Sequence, residues 1–201
     1  MRLTASLARL VPVLALLALL LAAAAQATAA DRDAALARAG ALVEAAHGAL
    51  TASAATEDKH ALLKRAIGDS FAFDVWERFL VDAETAGLTP EQSEEFRALL
   101  PGFLAQLYSD QFGKGLEAKP EISEARQARR DVLVRAAIPR ANGKTLPVDW
   151  RIRDFGERGH LVIDVMVGGT SFLILKRDEF DGILKSGGPA ALLDFMRENS
   201  I

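Results

Sequence analysis

The residue types that most often carry chemistry are few in this chain and are poorly spaced for it. Three histidines, His47, His60 and His160, stand far apart. None belongs to a metal-type spacing such as H-E-x-x-H, so all three read as surface histidines rather than ligands. Gly169-Thr170-Ser171-Phe172-Leu173 begins like the strand-to-helix elbow of a serine hydrolase, but that elbow needs glycine where Leu173 stands. A serine in this setting reads as a helix cap. The chain has no cysteine, which removes thiolate zinc sites and cysteine nucleophiles. Most carboxylates adjoin Lys or Arg, as in Glu57-Asp58-Lys59 and Arg177-Asp178-Glu179, and read as solvated helix faces. Asp164 differs, lying between Ile163 and Val165 in an apolar run. A charge placed there needs a partner, and a cross-strand pair with Arg135 or Arg151 is expected. These patterns nominate no catalytic residue, no metal site and no cofactor.

What remains is a set of apolar elements, and their order describes the protein better than any motif of reactive groups. Arg2 and Arg9 precede a run from Leu10 to Ala25 that carries no charge and ends in small residues. That is the pattern of a secretory signal peptide, and the run is shorter than the ~20 residues that a membrane-spanning helix needs. Two exits fit, Ala25-Gln26-Ala27 before Thr28 and Ala27-Thr28-Ala29 before Ala30, and the first is preferred. Residues 1–27 are then the signal peptide and residues 28–201 one domain that works outside the cytoplasm. Loss of Arg2 and Arg9 carries the net charge from −3 to −5. An acidic domain of this kind does not suit nucleic acid, whose phosphates need a basic face. Without cysteine an exported domain has no disulfide framework and must hold by burial alone.

Helical spacing dominates the first half. Leu36, Leu42, Val43 and Leu50 recur at steps of three, four and seven among alanines, and Leu62, Leu63 and Ile67 repeat the pattern. Phe71, Phe73, Val75, Trp76, Phe79 and Leu80 form the densest aromatic cluster and open a third helix expected to close at Gly87. Thr89-Pro90-Glu91-Gln92 then supplies a capping box with proline at the first helical position. The stripe that follows is Phe96, Leu99, Leu100, Phe103, Leu104 and Leu107, with Tyr108 beside it and Pro101 expected to kink the helix.

A polar stretch from Gly113 to Arg130 separates this helix from segments of period two. Val132, Val134, Ala136 and Ile138 alternate with Leu133, Arg135 and Ala137, and Asn142-Gly143 marks a hairpin turn. Leu146, Val148, Trp150 and Ile152 return, and Leu161 to Val167 gives a third strand ending at Gly168-Gly169. The tail from Ser171 to Ile201 reads as two helices broken at Gly187-Gly188-Pro189. Helices, antiparallel sheet and helices in that order make an α+β domain.

Two segments resemble a known family. Asp164-Val165, Gly169, Ser171, Arg177, Phe180 and Ile183-Leu184 fit the signature D-V-x-x-x-G-x-S-(x5)-R-x-x-F-x-x-I-L of the MlaC or toluene-tolerance family. Thr89 to Gln92, with Phe96, Phe103, Leu107 and Tyr108 trailing, is similar to that family's T-x-E-Q helix. The resemblance covers roughly residues 71–197. It implies an NTF2-like or MlaC-like fold, in which N- and C-terminal helices pack on a small twisted antiparallel sheet and enclose an apolar cavity. It also implies a periplasmic protein that binds phospholipid, or in one branch a hopanoid lipid. Such proteins serve an ABC-type lipid transport system, with an inner-membrane MCE-type permease complex and an outer-membrane lipoprotein complex as partners. A periplasmic protein-interaction module with a filled core is the alternative to a lipid carrier.

A cavity for lipid needs an apolar wall on each side. The sheet face of Val134, Ala136, Leu146, Val148, Trp150 and Ile152 and the helix stripe of Leu100, Phe103, Leu104 and Leu107 are the expected walls. Phe172, Phe180 and Leu184 are expected to close the end, and Arg177 to meet a phosphate at the mouth. Gly169 is expected to allow a turn and Ser171 to cap the following helix.

Overall fold

The computed structural model describes residues 4–112, 118–140 and 143–201, with side chains described from Thr28 onward. The expected signal peptide therefore lies outside the residues whose side chains are described. Helix α1 spans Thr4–Thr51, α2 Thr56–Ser70, α3 Phe73–Leu80, α4 Ala83–Ala86 and α5 Pro90–Phe112. Five strands follow, β1 Glu121–Ala128, β2 Asp131–Pro139, β3 Thr145–Asp154, β4 His160–Val167 and β5 Thr170–Ser171, and α6 spans Phe172–Glu198. The strands form one antiparallel sheet in sequence order, as α+β patterning predicts. No helix among the described residues is long and apolar enough to cross a membrane.

Strand alternation determines which face of the sheet is buried. Val132, Val134, Ala136 and Ile138 are at most 3% exposed, and on β3 Val148, Trp150 and Ile152 join them. Register pairs Val134 with Trp150 and Trp150 with Val165, so a continuous apolar surface crosses three strands. Helix α1 packs on this surface along β1 to β4. Its buried stripe is Ala35, Ala39, Leu42, Ala46 and Ala49. The alanines that look like filler in the sequence are thus the contact face, and their small size lets helix and sheet approach closely.

Capping defines the helix starts. Gln92 N–H donates to Thr89 Oγ1 at 3.2 Å and Thr89 N–H to Gln92 Oε1 at 3.0 Å, the reciprocal pair expected of the capping box. Helix α5 runs on through Pro101 to Phe112. The aromatic third helix is shorter than its sequence pattern predicts. It stops at Leu80, Val81 and Asp82 are extended, and Asp82 caps the separate α4, which ends on Gly87 at φ +69°. In the tail, Gly188 adopts φ +70° and breaks α6 into two helical halves at the expected place.

Three further expectations are corrected by the structure. The polar stretch after α5 contains a strand, β1, whose Ile122, Ala125 and Gln127 face Ala136, Val134 and Val132. A bulge between Ile122 and Glu124 breaks its period of two, so no alternation is visible along the chain. Asp164 joins no arginine in an ion pair among the described residues; Arg135 pairs with Asp149 at 2.7 Å, and Arg151 and Arg153 share Asp131. Asp164 instead accepts from Val165 N–H (2.8 Å), Ser171 Oγ (2.7 Å) and Leu173 N–H (3.3 Å). Ser171 in turn accepts from Ile174 N–H, so the Asp and Ser of the signature together cap α6. Burial raises the Asp164 carboxyl above its ordinary value, and the Ser171 hydroxyl, the two amides and the charge of Arg151, its cross-strand neighbour, oppose it. Finally, His160 is partly buried rather than freely exposed. Its side chain is 14% exposed and Nε2 lies 2.5 Å from Asp31 of α1, joining the start of β4 to that helix.

The Asn142-Gly143 turn is described at Gly143, which has φ +75°, and Arg140 N–H bonds Lys144 O across it. Asn142 lies outside the described residues.

Candidate functional site

Between the helices and the inner face of the sheet the core contains two small apolar hollows. The first lies among Phe71 and Trp76, the second half of α5, Val165 and Val167 of β4, and Phe172 at the start of α6. The second lies between the last turns of α1 (Leu42, Val43, Ala46, His47 and Leu50), the end of α5, Ile138 and Trp150 of the sheet, and Pro120. Each has a cavity volume of about 20 Å³, room for one water molecule. The expected single chamber is therefore two narrow spaces.

Tyr108 and Phe112 line both hollows and form the wall between them. Their ring centroids are 4.9 Å apart and tilted edge to face. One helical turn of α5 places both on the same side, since they are four residues apart. Tyr108 is tied to the sheet because Trp150 Nε1–H donates to its hydroxyl at 2.7 Å. Burial pushes the Tyr108 phenol well above its ordinary range, and the Trp150 N–H acts against that shift. Phe71 meets Tyr108 edge to face at 6.1 Å, which brings the α2–α3 junction onto the same wall.

The lining is almost wholly apolar, with Tyr108, Gln111 and His47 as its polar members. Among the described residues no group of three or more His, Cys, Asp or Glu side chains is placed to hold a metal ion.

The sequence-derived residues divide among several places. Leu104, Leu107 and Phe172 line the first hollow and Trp150 lines the second. Val134, Ala136, Val148 and Ile152 are buried on the sheet face beneath α1. Leu100, Phe103 and Phe180 are also fully buried. Phe103 and Phe180 meet at 5.4 Å with their rings tilted, with Phe96 and Phe195 beside them, a filled aromatic layer between α5 and α6. Leu184 faces a shallow surface depression with Asp82 and Lys185. Arg177 lies outside both hollows, bonded to Asp178 at 3.1 Å with its guanidinium 5.1 Å from the Phe79 ring.

Sequence reasoning passed over Tyr108, Phe112, Phe71 and Trp76 as site residues. The aromatic cluster after α2 was a visible signal, but nothing local shows that it folds back onto the end of α5. His47, expected at the surface, instead lines the second hollow with its Nε2 buried; an isolated histidine in an alanine-rich helix has no context that shows this.

A family model described as MlaC protein matches residues 41–198. No curated protein matches the chain. Among solved structures, the phospholipid-binding protein from Ralstonia solanacearum, in complex with a phospholipid, is similar with a TM-score of 0.66 at 18% identity. The likeness covers 84% of this chain and 96% of that one, and shows that the two share a fold.

Proposed function

The chain belongs to the MlaC family, and from that footing we propose that it is a periplasmic lipid carrier. It is exported by the signal peptide of residues 1–27 and holds phospholipid acyl chains between its helices and sheet. It passes between an inner-membrane MCE-type permease complex and an outer-membrane lipoprotein complex. The observation that carries the reading is the pair of apolar hollows separated only by the Tyr108–Phe112 wall. The fold shared with a protein solved in complex with a phospholipid supports the same reading.

The physical need is clear. At ~0.8 kcal/mol per CH₂, moving two chains of about fifteen such groups through water costs ~24 kcal/mol. A carrier offsets that by replacing bilayer with a dry interior, and it needs no catalytic group to do so. Since each hollow holds about 20 Å³, loading requires the side chains around them to part.

Mass spectrometry of the purified protein, under native conditions and after organic extraction, tests the reading. A stoichiometric lipid absent from a control protein prepared in parallel is the expected result, and its identity separates phospholipid from hopanoid. A protein that stays empty after incubation with vesicles favours a filled core and a protein-interaction role.

A further inference from the structure

The second hollow contains one polar atom that its apolar surroundings do not explain. His47 Nε2 is buried and has no hydrogen-bond partner, although His47 lines a space otherwise walled by groups such as Leu42, Val43, Ile138 and Phe112. The other polar group on that wall, the Tyr108 hydroxyl, accepts from the Trp150 indole and keeps its own O–H as a donor. Leaving a buried ring nitrogen unpaired costs about 1–3 kcal/mol, so a partner entering the hollow is favoured.

From this geometry, and resting on the carrier reading above, we infer that His47 is the polar anchor of the lipid site and donates through Nε2–H to an acyl-carbonyl oxygen. A neutral donor in an apolar wall suits a neutral acceptor such as a carbonyl oxygen. A phosphate does not fit there. It would bring a full charge into a wall that offers the His47 and Tyr108 side chains as donors and no countercharge, and a buried phosphate needs more than that. The position also suits a group at the junction of chain and head. Val43 and Pro120 adjoin in sequence the Glu44–Lys119 ion pair, whose side chains are 67% and 49% exposed, so the hollow lies just beneath the surface. A carbonyl held at His47 leaves the head group outside, while its chain runs inward past Tyr108 and Phe112 into the first hollow.

Both an esterified phospholipid and a free fatty acid carry such an oxygen, and the experiment separates them. Wild type, His47→Leu and His47→Gln are equilibrated with phosphatidylglycerol vesicles in one arm and with palmitate in the other, re-isolated, and their bound lipid measured by mass spectrometry. His47→Leu is expected to retain roughly three- to tenfold less, the size of one net hydrogen bond. His47→Gln, which keeps a donor, restores most of it. The arm in which this difference appears identifies the ligand. Equal retention by wild type and His47→Leu in both arms overturns the anchor and leaves the carrier reading standing. Empty wild type in both arms overturns the carrier reading, and the anchor with it. A measurement without substitution covers a variant that fails to fold: the ¹⁵N resonance of His47 Nε2 is expected to move on loading, and an unmoved resonance also overturns the anchor.

Discussion

Trp150 donates its indole N–H to the hydroxyl of Tyr108 at 2.7 Å, and that single bond ties the sheet to α5 at the wall between the two hollows. Trp150 faces inward because β3 alternates, and Tyr108 meets it because α5 continues a full turn beyond Leu104. Sheet and helix are 42 residues apart in sequence at this contact.

Tyr108→Phe keeps the ring and removes the acceptor, leaving the Trp150 N–H buried without a partner. Stability should fall by about 1–2 kcal/mol, at the lower end of the penalty for an orphaned buried donor. Thermal unfolding measures this. An unchanged midpoint would mean that the indole finds another acceptor and that the bond does not hold the wall.

Leu104 and Val134 separate hollow from filled core. Leu104 lines the first hollow, whereas Val134 is fully buried on the sheet and lines neither. Leu104→Trp should fill the hollow and lower lipid content in the folded protein. Val134→Trp overpacks the core and should destabilise by about 1–3 kcal/mol. Lipid content and unfolding midpoint, measured on both variants, check the contrast. Equal lipid loss in the two would erase the distinction drawn between these positions.

Asp131 sets the acid stability of the outer sheet face. Its side chain is 0% exposed and takes bonds from Arg151 and Arg153. Burial acts to raise its carboxyl, but the two guanidiniums outweigh it and the net direction is downward. A depressed value means that the contribution is complete above the ordinary carboxylate range, about pH 4, and is lost as pH falls through the folded value. Asp131→Asn should therefore be less stable by about 2–4 kcal/mol at pH 7. That gap should close in acid, as denaturant unfolding across pH will show; a gap that stays constant with pH would remove Asp131 as its source. Asp164 works in the opposite sense. Its raised value makes the ionised form unfavourable at neutral pH, and protonation relieves that cost as pH falls through the folded value.

Much of the fold was legible along the chain because its signals are local. Thr89 and Gln92 are three residues apart and cap the same turn, Gly188 takes a positive φ before a proline, and the alternation from Val132 to Ile138 needs only its own neighbours to define a face. The third strand and the cap at Ser171 were readable for the same reason. Strand β1 was not, since its bulge destroys the alternation and it is held by pairing with β2 rather than by its own pattern. Nor was the division of the apolar residues into hollow and packed layer. Phe103 and Leu107 lie one turn apart on the same stripe, yet one packs in the aromatic layer with Phe180 and the other lines the first hollow. Periodicity tells which side of an element is buried. Whether the space opposite is filled depends on side chains arriving from distant elements, and so the wall of Tyr108 and Phe112 between the hollows emerged only when the chain was folded.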